Sequence, residues 1–138
     1  MAIEQTYLIS GGDFSHAGDA SSKVKKLLKQ LDIDARKIKS IVIALYEAEV
    51  NIVAHAREGR IDIKIDKERI TMVLTDRGPG IPDIDQAMVE GFSTASREVR
   101  EMGFGAGMGL SNMKRNSDVL EISSRPGEGT TVKIINYF

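Results

Sequence analysis

Apolar and polar positions alternate along the first residues. Ile3, Gln5, Tyr7 and Ile9 interleave imperfectly with Glu4, Thr6 and Leu8, which predicts a strand over Ile3–Ser10. The period then changes to that of a helix. Val24, Leu27, Leu28 and Leu31 mark one face of a helix over Asp19–Leu31. Ile38, Ile41, Val42, Leu45, Ala48 and Ile52 mark a longer one over Ala35–Ala56, with Asp34 as its expected N-cap and Gly59 as its stop. Ile61–Ile65 alternates strictly, as a strand with one wet face does. Ile70–Thr75 is more continuously apolar and is expected to be the more buried strand. Asp76–Asp83 reads as a loop, Ile84–Val89 as a short helix, Glu90–Gly109 as irregular and Leu110–Asn116 as a helix. The strands Val119–Ser123 and Thr130–Ile135 close the pattern around the turn Arg125–Gly129. This order predicts an α+β fold: a two-layer sandwich of a mixed, mostly antiparallel sheet with helices on one face.

At 138 residues the chain suits one domain, expected to span 1–138. Lys+Arg number 19 and Asp+Glu 20, a net charge of -1 that removes the electrostatic argument for nucleic-acid or polybasic membrane binding. With no cysteine, disulfides, thiolate metal sites and Cys nucleophiles are excluded. Two histidines, His16 and His55, cannot make a three-His metal site. No apolar run reaches membrane-spanning length and the N-terminus lacks a signal-peptide pattern, so a cytoplasmic location is expected.

Three segments carry chemistry. Glu47 and Asn51 stand four residues apart and so share a helix face, which His55 continues, while Glu49 points elsewhere. A carboxylate can accept a proton from a hydroxyl and a carboxamide oxygen suits Mg2+. The same spacing also fits a solvated helix face. Asp76-Arg77-Gly78-Pro79-Gly80 follows an apolar strand, placing a carboxylate at a cleft floor with glycines Gly78 and Gly80 leaving it uncovered; an exposed turn uses the same residues. Seven of the 13 glycines fall between Gly78 and Gly109. Among them Gly103, Gly105, Gly107 and Gly109 alternate with Phe104, Ala106 and Met108 before a helix that begins near Leu110. Bare backbone N–H groups there can cradle phosphates, though a flexible loop has the same composition. The spacing is neither that of the Walker loop nor that of the Rossmann fingerprint.

In this fixed order the segments resemble the N, G1 and G2 boxes of the GHKL ATPase superfamily, whose domain is the Bergerat ATP-binding fold. Gly129-Thr130-Thr131 resembles the Gly-Thr-Thr of its last strand. Within that superfamily Glu47-x-x-x-Asn51 and Glu90-Gly91-Phe92-Ser93-Thr94 resemble the bacterial anti-sigma factors and switch-protein serine kinases more than the histidine kinases. The resemblance implies ATP and Mg2+ as cofactors, Glu47 as general base and Asn51 as Mg2+ ligand. It further implies Asp76 reading adenine N6 and Thr131 contacting adenine, with Gly78 and Gly80 beside the ring. Gly103, Gly105, Gly107, Met108, Gly109 and Leu110 would surround the phosphates. Related kinases carry an arginine at the position of Gly105, so Arg100 or Arg97 is the candidate for the γ-phosphate, with Lys114 and Arg115 behind them. The implied function is an anti-sigma regulator and serine/threonine kinase acting on a STAS-domain antagonist in partner switching. A sigma factor is a further implied partner and a homodimer an implied state, with no nucleic acid and no membrane. Two other functions fit the same resemblance: an ATP-dependent switch that sequesters a sigma factor without catalysis, and a detached histidine-kinase catalytic domain.

Overall fold

A computed structural model describes residues 2–81 and 109–138. Its elements are β1 (Ile3–Ser10), a 3-10 turn (Phe14–His16), α1 (Asp19–Gln30), α2 (Ala35–His55), β2 (Glu58–Ile65), β3 (Arg69–Arg77), α3 (Gly109–Arg115), β4 (Val119–Arg125) and β5 (Gly129–Tyr137). The strands form one sheet in the order β1-β2-β3-β5-β4, and every neighbouring pair is antiparallel. The described sheet is thus antiparallel throughout, within the α+β architecture read from the sequence.

Side-chain alternation decides which face is covered. Ile61, Ile63 and Ile65 stand opposite Leu74, Met72 and Ile70, and Met72 and Leu74 stand opposite Ile134 and Val132. All eight are buried beneath the helices, with Val24 and Leu28 from α1, Ile41, Leu45 and Ile52 from α2, and Leu110 and Met113 from α3. The other face carries no helix layer among the described residues. This explains why β3, apolar in sequence, still alternates: Thr71 and Val73 are only half-buried. On the same outer face Leu8 of the edge strand β1 is 83% exposed.

α1 buries Val24 and Leu28 and turns Lys23, Lys25, Lys26 and Lys29 outward. Its C-terminus is a Schellman closure in which the Ile33 N–H donates to Leu28 O (3.2 Å) and the Asp32 N–H to Lys29 O (3.1 Å), with Asp32 taking the left-handed φ of 56°. Asp34 occupies the N-cap position of α2, but its side chain makes no capping hydrogen bond.

Three boundaries differ from the sequence reading in ways that matter for the site. α2 stops at His55, and Gly59 lies inside β2, where a Cβ would come 2.6 Å from Ile52 Cγ2. Gly59 is therefore a packing glycine under α2 rather than a helix stop. β3 continues through Arg77, so Asp76 is held in a strand and not in a loop. The expected helix at Ile84–Val89 and the irregular stretch from Glu90 lie outside the described residues, apart from Gly109, which opens α3.

Candidate functional site

Asp76 is the last inward residue of β3, continuing the row Ile70, Met72, Leu74. The strand ladder fixes its side chain on the helix-covered face. Its Oδ1 accepts a hydrogen bond from the Thr130 N–H at 3.1 Å. Burial raises its carboxyl above the ordinary carboxylate range, and the Thr130 N–H partly offsets that. A carboxylate kept here at an energetic cost is one that a ligand donor can relieve.

The turn after Asp76 is shaped by close backbone approaches. A Cβ on Gly78 would lie 3.0 Å from Ala56 Cα and 3.4 Å from Asp76 Oδ1, so any side chain would crowd the carboxylate. Gly80 has φ 76°, and its Cβ would lie 2.6 Å from Arg125 O. What Gly80 admits is the β4–β5 hairpin, tied to the turn by the Gly127 N–H to Pro79 O (2.8 Å) and the Ile81 N–H to Ser124 Oγ (2.6 Å).

Of the two threonines that open β5, Thr130 shares the face of Asp76. It is buried, its N–H serves Asp76, and its hydroxyl lies 3.0 Å from Ser124 Oγ. Thr131, the threonine chosen from sequence, pairs with Thr75 and by alternation presents its side chain on the opposite face. Both threonines nonetheless line one open depression of about 210 Å3 at the hairpin, together with Asp76, Ser123, Ser124 and Arg125.

The second group stands on α2. Glu47 and Asn51 are both half-buried and one turn apart. Against them lies Gly109, the first residue of α3: a Cβ there would be 3.5 Å from Glu47 Oε2 and 3.7 Å from Asn51 Oδ1. The structure thus brings the Glu-x-x-x-Asn pair to the end of the glycine-rich segment. Gly103, Gly105, Gly107, Met108, Arg97 and Arg100 lie outside the described residues. Leu110 is 6% exposed and belongs to the core. Lys114 and Arg115 are exposed on the last turn of α3. His55 is half-buried, and burial lowers its pKa, favouring the neutral imidazole.

Two features were missed from sequence. Asn112 of α3 donates from Nδ2 to Glu47 Oε1 at 3.2 Å. Its spacing of three from Gly109 would have placed it on the side of α3 that meets α2. Glu49, two residues from Glu47, is fully buried and caps α1. Its Oε2 accepts from the Gly18 N–H (2.8 Å) and the Ala20 N–H (3.3 Å), and its Oε1 from the Ser21 N–H (2.9 Å) and the Ser21 hydroxyl (2.6 Å). Gly18 cannot cap the helix it precedes, so α2 supplies the acceptor.

A match to the family model described as histidine kinase-, DNA gyrase B- and HSP90-like ATPase covers residues 36–136. The chain belongs to that ATPase family. Its fold is accordingly the Bergerat fold, as the order of the motifs had indicated. Among curated proteins, the anti-sigma F factor of Thermoanaerobacter sp. (strain X514) is 37% identical over 123 residues, covering 86% of this chain and 82% of that protein. The serine/threonine-protein kinase RsbT of Bacillus subtilis (strain 168) is 32% identical over 117 residues, covering 82% of each. The anti-sigma F factor of Clostridium beijerinckii is 32% identical over 121 residues, covering 83% of this chain and 81% of that protein.

In this ATPase family member the donor set fits a hard cation shared with phosphates. Glu47 and Asn51 offer oxygen atoms around the side-chain-free Gly109, while no cluster of three or more His, Cys, Asp or Glu exists among the described residues. One or two protein oxygens completed by phosphate and water is how Mg2+ is usually held. No helix among the described residues is long and apolar enough to cross a membrane.

Proposed function

We propose that this chain is an ATP-binding anti-sigma regulator with protein serine/threonine kinase activity. It transfers the ATP γ-phosphate to a Ser or Thr hydroxyl of a STAS-domain antagonist and so controls partner switching. The observation that carries this reading is Glu47 beside Asn51, with one carboxylate oxygen held by Asn112 and the other facing Gly109. The names of its relatives, anti-sigma F factor and RsbT kinase, support the same class.

Asp76 receives the adenine amine, from which the raised carboxyl gains a hydrogen-bond donor, and Thr130 steadies it from β5. Asn51 holds Mg2+, which supplies charge neutralisation at the phosphates. Glu47 Oε2 takes the proton of the partner's hydroxyl as that oxygen bonds to the γ-phosphorus and the bond to the β-phosphate oxygen breaks, releasing ADP. Phosphoryl transfer asks little covalent chemistry of a protein, so positioning and charge neutralisation suffice.

Transfer from γ-labelled ATP to purified STAS-domain proteins of the source organism tests this. Glu47→Ala is expected to slow transfer by about 10²–10⁴-fold, the usual worth of general-base catalysis, with ATP affinity retained. Wild-type transfer rates in Glu47→Ala would remove the assigned base. A second reading is favoured by the anti-sigma names of several relatives: ATP acts as effector of a binding switch that sequesters a sigma factor. ATP-dependent capture of a sigma factor with no phosphate transfer would select it.

A further inference from the structure

Three asparagine side chains make hydrogen bonds between the sheet and Glu47: the first two reach main-chain carbonyls and tie the backbone of α3 to β5, and the third reaches Glu47 from that helix. Asn136, on β5, is 4% exposed, and its Nδ2 donates to Asn116 O at 2.8 Å. Asn116, just past α3, donates from Nδ2 to Asn112 O at 2.9 Å. Asn112 then donates from Nδ2 to Glu47 Oε1 at 3.2 Å. Asn136 is a costly choice: its row on β5 is otherwise Thr130, Val132 and Ile134, and its own Oδ1 has no hydrogen-bond partner among the described residues. A buried polar atom left unpaired is tolerated where the rest of the side chain is needed. Here its donor meets the C-terminal end of α3, whose carbonyls lack partners within the helix.

The last of these bonds ends on one oxygen of a two-oxygen group. With Oε1 engaged by Asn112, Oε2 is the atom turned toward Gly109, and no hydrogen bond to Oε2 exists among the described residues. A carboxylate on a side chain with several rotatable bonds otherwise samples many orientations. A donor anchored to the sheet removes that freedom before substrate arrives, the pre-organisation that phosphoryl transfer and general-base catalysis both reward.

We propose that Asn112, carried on the α3 backbone that Asn116 and Asn136 tie to β5, is a positioning residue for Glu47: it pins Oε1 so that Oε2 is presented for the proton of the incoming hydroxyl. The inference rests on the reading of Glu47 as the proton acceptor. It predicts a residue that acts on turnover and not on nucleotide binding.

The test has two arms. In 15N-labelled protein without partner, the Asn112 side-chain amide resonances are expected to move when Glu47→Ala removes the acceptor. Resonances that stay in place would overturn the contact, whatever the catalytic outcome. In the second arm, with a STAS-domain protein that accepts phosphate from the wild type, Asn112→Ala and Asn112→Asp are expected to lower kcat roughly ten- to hundredfold, the worth of one charge-assisted hydrogen bond. The KM for ATP should stay within about twofold, since only transition-state positioning is lost. In a Glu47→Ala background Asn112→Ala should cause no further loss. An equal loss in both backgrounds would show a structural role independent of Glu47 and overturn the proposal. If the wild type transfers no phosphate to any STAS-domain protein, the reading of Glu47 falls and the positioning role with it, while the amide arm still judges the contact. Asn136→Ala serves as the remote variant: the same kcat loss at smaller size supports the tie to β5, and an unchanged kcat in a folded Asn136→Ala protein limits the device to Asn112.

Discussion

Removing the Glu49 carboxylate is the perturbation whose size the structure defines best. Glu49 is 0% exposed and accepts four hydrogen bonds, three from backbone N–H groups at the start of α1 and one from the Ser21 hydroxyl. Hydrogen bonds to a charged group are worth about 1.5–3 kcal/mol each, but the carboxylate's own desolvation cost returns when it is deleted. What remains after Glu49→Ala is a set of orphaned α1 donors and a small cavity. Breaking a buried charged network of this kind costs about 3–5 kcal/mol. That is a large part of the ~5–15 kcal/mol that holds a typical domain together. At roughly 3–4 °C per kcal/mol for a chain of this size, Tm should fall by about 10–20 °C. Ser21→Ala loses only the hydroxyl contact and should cost about 1 kcal/mol. Urea unfolding followed by helical circular dichroism reads both, with an unchanged m-value confirming a two-state comparison. A Glu49→Ala loss below about 1 kcal/mol would refute the claim that α2 caps α1 through this residue.

Three further perturbations separate site from scaffold. Asp76→Asn should lower ATP affinity about ten- to hundredfold in calorimetry, by weakening one charge-assisted hydrogen bond, yet should not lower Tm. The amide oxygen can still accept the Thr130 N–H, and burial no longer opposes a charge; retained affinity would exclude Asp76 from adenine recognition. Gly129→Ala should cost about 2–4 kcal/mol, because φ is 147° and a Cβ would collide with the main-chain oxygen of Asp76. Gly127→Ala, at φ 79° with open space around it, should cost only about 1 kcal/mol, and equal losses in urea unfolding would refute the close-approach argument. Burial lowers the pKa of His55 below its value in the unfolded chain. Its stabilising contribution is therefore fully present above pH ~6.5 and lost as pH falls through the folded-state value. The stability difference between wild type and His55→Asn should shrink from pH 7 to pH 5, and a difference that stays constant over that range would refute this.

Periodicity and motif order made the strands, the helices and the family legible, because each depends on residues close in sequence. Glu47 and Asn51 are one helical turn apart, and Asp76 ends an apolar run, so both could be read without knowing the fold. That Thr130 and not Thr131 donates its N–H to Asp76 could not. It turns on the register of β3 against β5, where one residue reverses the face, and register is a property of two strands far apart in the chain. The contacts of Glu49 and Asn112 were hidden for the same reason: spacing gives Asn112 its side of α3, but the partners, α1's N-terminus and Glu47, are brought to these residues only by helix packing.

The inward rows of β3 and β5 show how the fold reconciles a core with a polar site. Read together they are Ile70, Met72, Leu74, Asp76 and Thr130, Val132, Ile134, Asn136. The apolar residues occupy the middle and the polar ones the two ends. At one end Asp76 and Thr130 bond to each other and present a carboxylate. At the opposite end Asn136 anchors α3 through Asn116. Because α3 starts at Gly109 beside Glu47 and Asn51, a residue at the far end of the sheet bears on the Glu47 side of the site through the helix it holds. Each polar interruption of the core therefore supports one half of the proposed chemistry, nucleotide recognition at the Asp76 end and orientation of the base at the Asn136 end. A core made apolar at both ends would satisfy packing and leave neither group in place.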